Sequence, residues 1–286
     1  MKQKEICEII KEILPVQGVK KNIADRTDVF RTDDSQEKAP FSYSQSIIII
    51  LQGKKRVYIG DSVLTYDPMH YLVLSIPLPV DCDVIASKEH PVLGITIHVD
   101  AALVNELMVT AKMATETHKE LAAGIYSDEM NEQMSDAVYR LVKTFIRPSE
   151  NKILAPMYIR EIVYRVMTSP NGTALRMLAY RNQAFFKIEH ILERIHGAYN
   201  QKYDINSLAE EADMSISSFH AAFKAITDMS PLQYIKKIKL HKAREFITVH
   251  GCTASAAAYQ VGYESTSQFT REYKRMFGVT PSRQAF

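Results

Sequence analysis

Cysteine is scarce. The 286 residues hold three, Cys7, Cys82 and Cys252, far apart and with no C-x-x-C pair. An odd, sparse set builds no disulfide framework and fits a reduced, cytoplasmic protein. Long apolar runs are missing as well. The strongest, Ile47–Leu51, is far short of the roughly 20 residues a membrane-spanning helix needs, so no membrane span is expected. The first residues, MKQKEICEIIKEIL, carry charge throughout and read as an amphipathic helix over 2–14 rather than a signal peptide, ended by Pro15 and Gly18. The nine histidines form no His-x-His pair, and isolated histidines are more often structural than metal ligands. With no metal set and no clustered thiols, no catalytic residue, metal or cofactor is assigned, and the chain is read as a non-enzyme. Cys82 is expected to act as a small buried hydrophobe rather than a reactive thiol.

Charge of one sign is also lacking, since the net charge is only +2. Its distribution is uneven, however. Residues 187–286 hold 13 Lys and Arg against 10 Asp and Glu, while the remainder holds 22 against 23. The modest basic excess lies in the C-terminal third, and weak phosphate affinity per module is the bland expectation from it.

The chain divides by periodicity. Residues 25–40, DRTDVFRTDDSQEKAP, read as an extended, partly mobile approach. From Ser44 to His98 the pattern is that of short strands: 46–51, 57–60, 63–66, 71–76, 80–86 and 92–98. A basic KKR turn follows Gly53, and hairpin turns are read at Gly60-Asp61 and Asp67-Pro68. Such spacing argues for a small β-sandwich or barrel. Helices are predicted over 100–115, 128–146, 155–167 and 172–181, with 117–127 unclear. The apolar stripe of 128–146 suits either packing on the barrel or a dimer seam. Beyond a boundary near 182–187 nearly everything reads as helical. The fold class is therefore α+β, with a β-rich regulatory and dimerisation domain over 1–182 and an all-α domain over 183–286.

The most informative stretch is Gln260–Phe277, QVGYESTSQFTREYKRMF. Gly262 supplies a turn between two helices. Ser265 has the character of an N-cap. Phe269, Tyr273 and Phe277 form an inward face, leaving Thr266, Ser267, Thr270 and Arg271 on the other side. About fifty residues upstream the pattern recurs. LAEEADMSISSFHAAFKAITDMSP (208–231) matches AAAYQVGYESTSQFTREYKRMFGVTP (256–281), with Ser215 as cap, Phe219 and Phe223 inward, and a closing Ser/Thr-Pro pair. One long helix, 232–248, joins the two units, with Pro231 in its first turn.

These residues carry a resemblance. Residues 187–284 resemble the DNA-binding domain of AraC/XylS-type transcription regulators, through VGYESTSQFTREYKRMFGVTP and MSISSFHAAFKAITDMSPLQYIKKIKLHKAREFI. Residues 41–108, through SIIIILQGKKRVYIGDSVLTYDPMHYLVLSIPLPVDC, resemble the N-terminal domain of one subgroup of that family, for which a cupin-like β-barrel followed by helices is expected. The resemblance implies base-reading roles for Ser217, His220 and Ala221 in the first unit, and for Thr266, Ser267, Thr270 and Arg271 in the second. Ala221 stands where many relatives have Arg, so the second unit is expected to carry more of the readout, Arg271 reaching guanine O6/N7. Asp213 stands where Gly is usual, so Asp is expected in a left-handed conformation.

The implied function is sequence-specific regulation of transcription. The two units would enter adjacent major-groove segments about 34 Å apart on one face of double-stranded DNA. RNA polymerase contact, activation, homodimerisation and control by a small-molecule effector in the N-terminal domain are expected with it. Tyr58, His70, Tyr71 and Cys82 are the candidate effector-binding residues, if the strand register turns them inward.

Overall fold

The computed structural model describes residues 2–59, 62–113, 123–179 and 184–283. The predicted Gly60-Asp61 turn and the boundary between residues 182 and 183 lie outside these. The first helix, α1 (Lys2–Ile13), turns Ile6, Cys7, Ile9 and Ile10 inward, as its spacing requires.

Among the described residues ten strands follow: β1 (Gly18–Ala24), β2 (Thr27–Thr32), β3 (Gln36–Tyr43), β4 (Ser46–Gln52), β5 (Lys54–Ile59), β6 (Ser62–Tyr66), β7 (His70–Leu74), β8 (Leu78–Ile85), β9 (Val92–His98) and, after α2 (Ala101–Thr110), β10 (Ile125–Glu129). They form two antiparallel sheets, β1-β2-β9-β4-β7-β10 and β3-β8-β5-β6, rather than one closed barrel. Three expectations are corrected here. Residues 25–40 are no loose approach, because β2 pairs with β9 from Val92 to Ile97 and β3 pairs with β8. The KKR segment is the start of β5 rather than a turn, its Lys54, Lys55 and Arg56 registering on Ile85, Val84 and Asp83. The unclear stretch before 128 contributes β10, so the following helix starts only at Glu132.

Register decides which side chains face where. In the larger sheet Ile48 lies beside both Leu72 and Thr96, on the face toward the smaller sheet. Ile47 and Ile49 point the other way, beside Val73, Tyr71, Ile97 and Ile95. Both faces are therefore covered, which is why Ile47–Leu51 is apolar at every position. The outer face lies beneath α1 and α4 (Pro148–Met167), with α3 (Glu132–Thr144) packed on both of these helices. Asn131 caps α3 through the Met134 amide at 2.8 Å. The apolar stripe of α3 is buried against α1 and α4, so packing within the chain accounts for it. Pro148 ends one helix and opens the next, at a first-turn position where its missing N–H costs nothing.

The rest is helical: α5 (Thr173–Arg176), α6 (Ala184–Gly197), α7 (Ile205–Glu211), α8 (Ile216–Thr227), α9 (Pro231–Thr248), α10 (Ala254–Gln260) and α11 (Thr266–Phe277). Among the described residues the buried side chains fall into two clusters. One runs unbroken from the sandwich through α6, α7 and α8 to Ile238 on α9. The other is small, made of Leu240, Ala243, Ile247, Ala257, Ala258, Val261, Phe269 and Tyr273. The first helix–turn–helix thus shares its core with the N-terminal sandwich, and the second has its own.

Candidate nucleic-acid interface and effector cavity

The second unit is built on turn chemistry. Thr253 caps α10 through the Ala256 amide. Gly262 then takes φ +76°, and Ser265 caps α11 through the Gln268 amide at 3.2 Å. Phe269 and Tyr273 are fully buried, with the Tyr263 ring edge-on to Phe269 at 5.3 Å. This rotation leaves Thr266, Ser267 and Arg271 exposed on the opposite face, and Thr270 half-buried with its hydroxyl donating to the Thr266 carbonyl. Glu272 anchors the helix from behind. It accepts from Tyr263 Oη at 2.8 Å, Gln268 Nε2 at 3.1 Å and Lys236 Nζ of α9 at 3.0 Å. Burial raises its carboxyl, but these three donors outweigh that and hold it below the usual range.

The first unit repeats the construction. Asp204 caps α7 and Ser215 caps α8. Between them Asp213 adopts φ +48°, the left-handed turn expected where relatives have Gly. Lys187 Nζ clasps that turn, 2.8 Å from the Asp213 carboxylate and 3.0 Å from its carbonyl. Phe219, Phe223 and Ile226 are buried, and Ser217, His220 and Ala221 are exposed. Ser230 opens α9 with a full capping box to Gln233, and Pro231 occupies its first turn.

With 18 residues, α9 is about 27 Å long and joins the two units. A second contact fixes their angle. A Cβ on Gly262 would lie 1.9 Å from the Asn200 carbonyl oxygen, so the turn of the second unit abuts the loop between α6 and α7. Lys202 pairs with Glu264 across the same contact at 2.7 Å.

The sandwich grips the first unit directly. The Gly124 amide donates to the Ile226 carbonyl near the end of α8 at 3.0 Å. Tyr234 of α9 donates from Oη to the Pro77 carbonyl at 2.6 Å, and its oxygen also meets His196 Nε2 at 2.7 Å. Lys237 pairs with Asp81 at 3.0 Å, and Gln45 donates to Glu189 of α6 at 2.8 Å.

The four effector candidates do not share a cavity. Tyr58 is on the outer face of β5, donating to Asp83, and lines a groove against α9 and α11. His70 is half-exposed and held by Asp67 at 3.0 Å. Tyr71 is on the helix-facing side of the large sheet, its hydroxyl pushed up to about 12 by burial. Cys82 alone faces the sandwich interior, 3.8 Å from both Tyr43 Oη and Tyr66 Oη, and burial raises its thiol.

The cavity between the sheets, about 510 Å³, is lined instead by Phe30, Phe41, Tyr43, Ile48, Lys55 and Thr96 among others. Lys55 is the residue that sequence reading missed. It is 5% exposed, with its ammonium 4.7 Å from the Phe30 ring centre and 5.2 Å from that of Phe41. No carboxylate among the described residues pairs with it; Asp28, which lines the same cavity, is taken by His98 at 2.9 Å. Burial lowers the Lys55 ammonium from its ordinary range. The signal was present in KKRVYI, where alternation sends Lys54, Arg56 and Tyr58 outward and Lys55, Val57 and Ile59 inward.

The profile of the AraC-type transcriptional regulator N-terminus matches residues 24–174, and that of a helix-turn-helix domain matches residues 208–284. The first alone spans more than half of the chain. The chain belongs to the AraC-type transcriptional regulators. Within that family, it is 25% identical over 154 residues to the thermoregulatory protein LcrF of Yersinia pestis, an alignment spanning 52% of this chain and 55% of that one. It has the same identity over 154 residues, with the same coverage, to the virulence regulon transcriptional activator VirF of Yersinia enterocolitica. The chain thus spans about half the length of the curated relatives it matches. Unsaturated fatty acid-bound ToxT of Vibrio cholerae has the same fold, with a TM-score of 0.57 and 11% identity over 91% of this chain and 94% of that one. These relatives are regulators, not enzymes. No helix among the described residues of this AraC-type regulator is long and apolar enough to cross a membrane.

Proposed function

We propose that this AraC-type regulator binds double-stranded DNA sequence-specifically, with α8 and α11 in adjacent major-groove segments. The observation that carries the reading is the pair of Ser-capped helices, each burying its aromatic face and exposing its polar one, joined by the single helix α9. Ser217, His220 and Ala221 would contact one segment, and Thr266, Ser267, Thr270 and Arg271 the other. With only a methyl group at Ala221, which can neither donate nor accept a hydrogen bond, Arg271 dominates discrimination. In the same reading the protein works in the cytoplasm as a homodimeric activator that contacts RNA polymerase, with a regulatory domain up to about residue 182. Genome-wide mapping of bound sites supplies the operator. Arg271→Ala should then cost about 1–3 kcal/mol of discrimination at one base pair. Unchanged discrimination in fluorescence anisotropy would sink the assignment.

The effector reading rests on Lys55. An ammonium between two aromatic rings, without an internal carboxylate, suits a ligand with an anionic head and an apolar body. The fatty acid bound to ToxT is of that class. Oleate should change the DNA affinity of the native protein and not that of Lys55→Met. An equal response from both proteins would remove Lys55 from the site.

A further inference from the structure

Helix α9 carries four lysines. Three of them are paired: Lys236 with Glu272 at 3.0 Å, Lys237 with Asp81 at 3.0 Å and Lys242 with Glu245 at 2.9 Å. Lys239 is the exception. It is 9% exposed, yet nothing among the described residues pairs with its ammonium. The charge that acts on it is a second cation, Lys202. Burial first, and Lys202 second, lower the ammonium from its ordinary range. Taking a charge out of water with no counter-charge is unfavourable, and an apolar side chain of similar length would pack there at less cost. Packing therefore does not account for a lysine at this position.

Its place on the helix indicates what the charge faces. Ile238 belongs to the large buried cluster and Leu240 to the small one, so Lys239 lies where the two meet. Beside that junction runs the loop between α6 and α7. Tyr199 of this loop packs against both clusters, and the Asn200 carbonyl abuts the Gly262 turn. Lys202 extends from the same loop and pairs with Glu264 at 2.7 Å, one residue before the Ser265 cap of α11. Both partners of that pair are largely exposed. The two lysines are thus near the N-terminal end of α11, and that is the end of a recognition helix whose side chains reach base edges. The Lys239 nitrogen is not sealed from solvent, so an anion arriving from outside can reach it.

Two helices in adjacent major-groove segments leave a stretch of duplex backbone between them, with one negative charge per about 1.7 Å of axis. We propose that Lys239, with Lys202 beside it, receives a backbone phosphate of that stretch. The contact presupposes that α8 and α11 enter adjacent grooves. It reads no base; it fixes the position of the duplex against the junction of the two units. The ammonium that has no partner within the protein finds one on the DNA.

The test is the affinity of the full chain for DNA as salt is varied, on a duplex carrying a mapped site and on copies of it with one base pair changed. Lys239→Met keeps the stem and removes the charge. It should weaken binding about eight-fold at about 0.1 M salt and about four-fold at about 0.2 M, and reduce the slope of log K against log salt by about 1. Discrimination among the duplexes should stay the same, because a phosphate carries no sequence. The free variant should melt at the same temperature or higher, since a buried unpaired charge is gone. A purely structural lysine would give the reverse, a lower melting temperature with an unchanged slope. Lys239→Arg should restore the slope, Lys202→Ala should reduce it, and Lys152→Ala on α4 should leave it alone. An unchanged slope in Lys239→Met overturns the proposal, and so does a loss that differs from one base-pair change to the next. If the unmutated chain binds no duplex, the DNA reading fails and takes the contact with it, a result distinct from binding with an unmoved slope. Inorganic phosphate at constant ionic strength checks the other source of the same chemistry. A rise in melting temperature that Lys239→Met abolishes, with the DNA slope unmoved, would assign the lysines to a free anion and overturn the DNA contact.

Discussion

Replacing Gly262 by Ala tests whether the second unit is set by its turn. The residue has φ +76°, where an L side chain costs about 1–2 kcal/mol. The new Cβ would also fall 1.9 Å from the Asn200 carbonyl oxygen, where real Cβ contacts essentially never come under 3.0 Å. One backbone must retreat by about 1 Å. Overpacking of that kind costs about 1–3 kcal/mol, giving about 2–5 kcal/mol in total. The strain falls on a unit whose core is separate from the rest. Hydrogen-exchange mass spectrometry should show amides in α10 and α11 exchanging about thirty-fold to several-thousand-fold faster, with α8 and the sandwich unchanged. DNase footprints should shrink to the segment read by α8. Equal acceleration in both units, or none in either, would refute the reasoning.

Phe223→Ala and Phe269→Ala remove comparable fully buried rings, each worth about 3–5 kcal/mol. The first should lower the main unfolding transition, while the second should melt only α10 and α11 in exchange experiments. Glu189 is pushed up to about 7, first by burial and then by Glu193. A carboxyl raised in the folded state stabilises fully below its unfolded value, near 4.5, and loses that stability as pH rises through 7. Glu189→Gln should flatten denaturant stability between pH 5 and pH 8 and add about 1–2 kcal/mol at the upper end, after allowing for solvent screening. Tyr234→Phe removes the bond to Pro77 and leaves His196 short of a partner; a loss of about 1–3 kcal/mol in chemical denaturation is expected.

Local rules made the helical half legible. Ser215 and Ser265 cap helices because a hydroxyl at that position satisfies an orphan amide, and a few letters of sequence suffice to see it. The left-handed Asp213 was equally visible, from its place in the repeat. The sandwich was harder, since its rules are non-local. Residues 25–40 are polar enough to read as a linker, and only pairing with β9 and β8 makes them strands. Tyr58 and Tyr71 looked equivalent to Cys82 until register placed them on three different faces. Lys55 was passed over because a lysine in a basic triplet reads as solvated. Phe30 and Phe41, which cover it, are distant in sequence.

The unequal sharing of core has a consequence for recombination. A chimera joined at the apparent domain boundary near residue 182 would sever a packed interior, exposing Phe219, Phe223 and Tyr234 to a foreign sandwich that never coevolved with them. A joint within α9, between Ile238 and Leu240, falls between the two interiors. Transplants made there exchange the second helix–turn–helix and keep the first with the sandwich it packs on. A lineage diversifying its operators by shuffling segments would find the C-terminal head cheap to trade and the first head inherited with the sandwich.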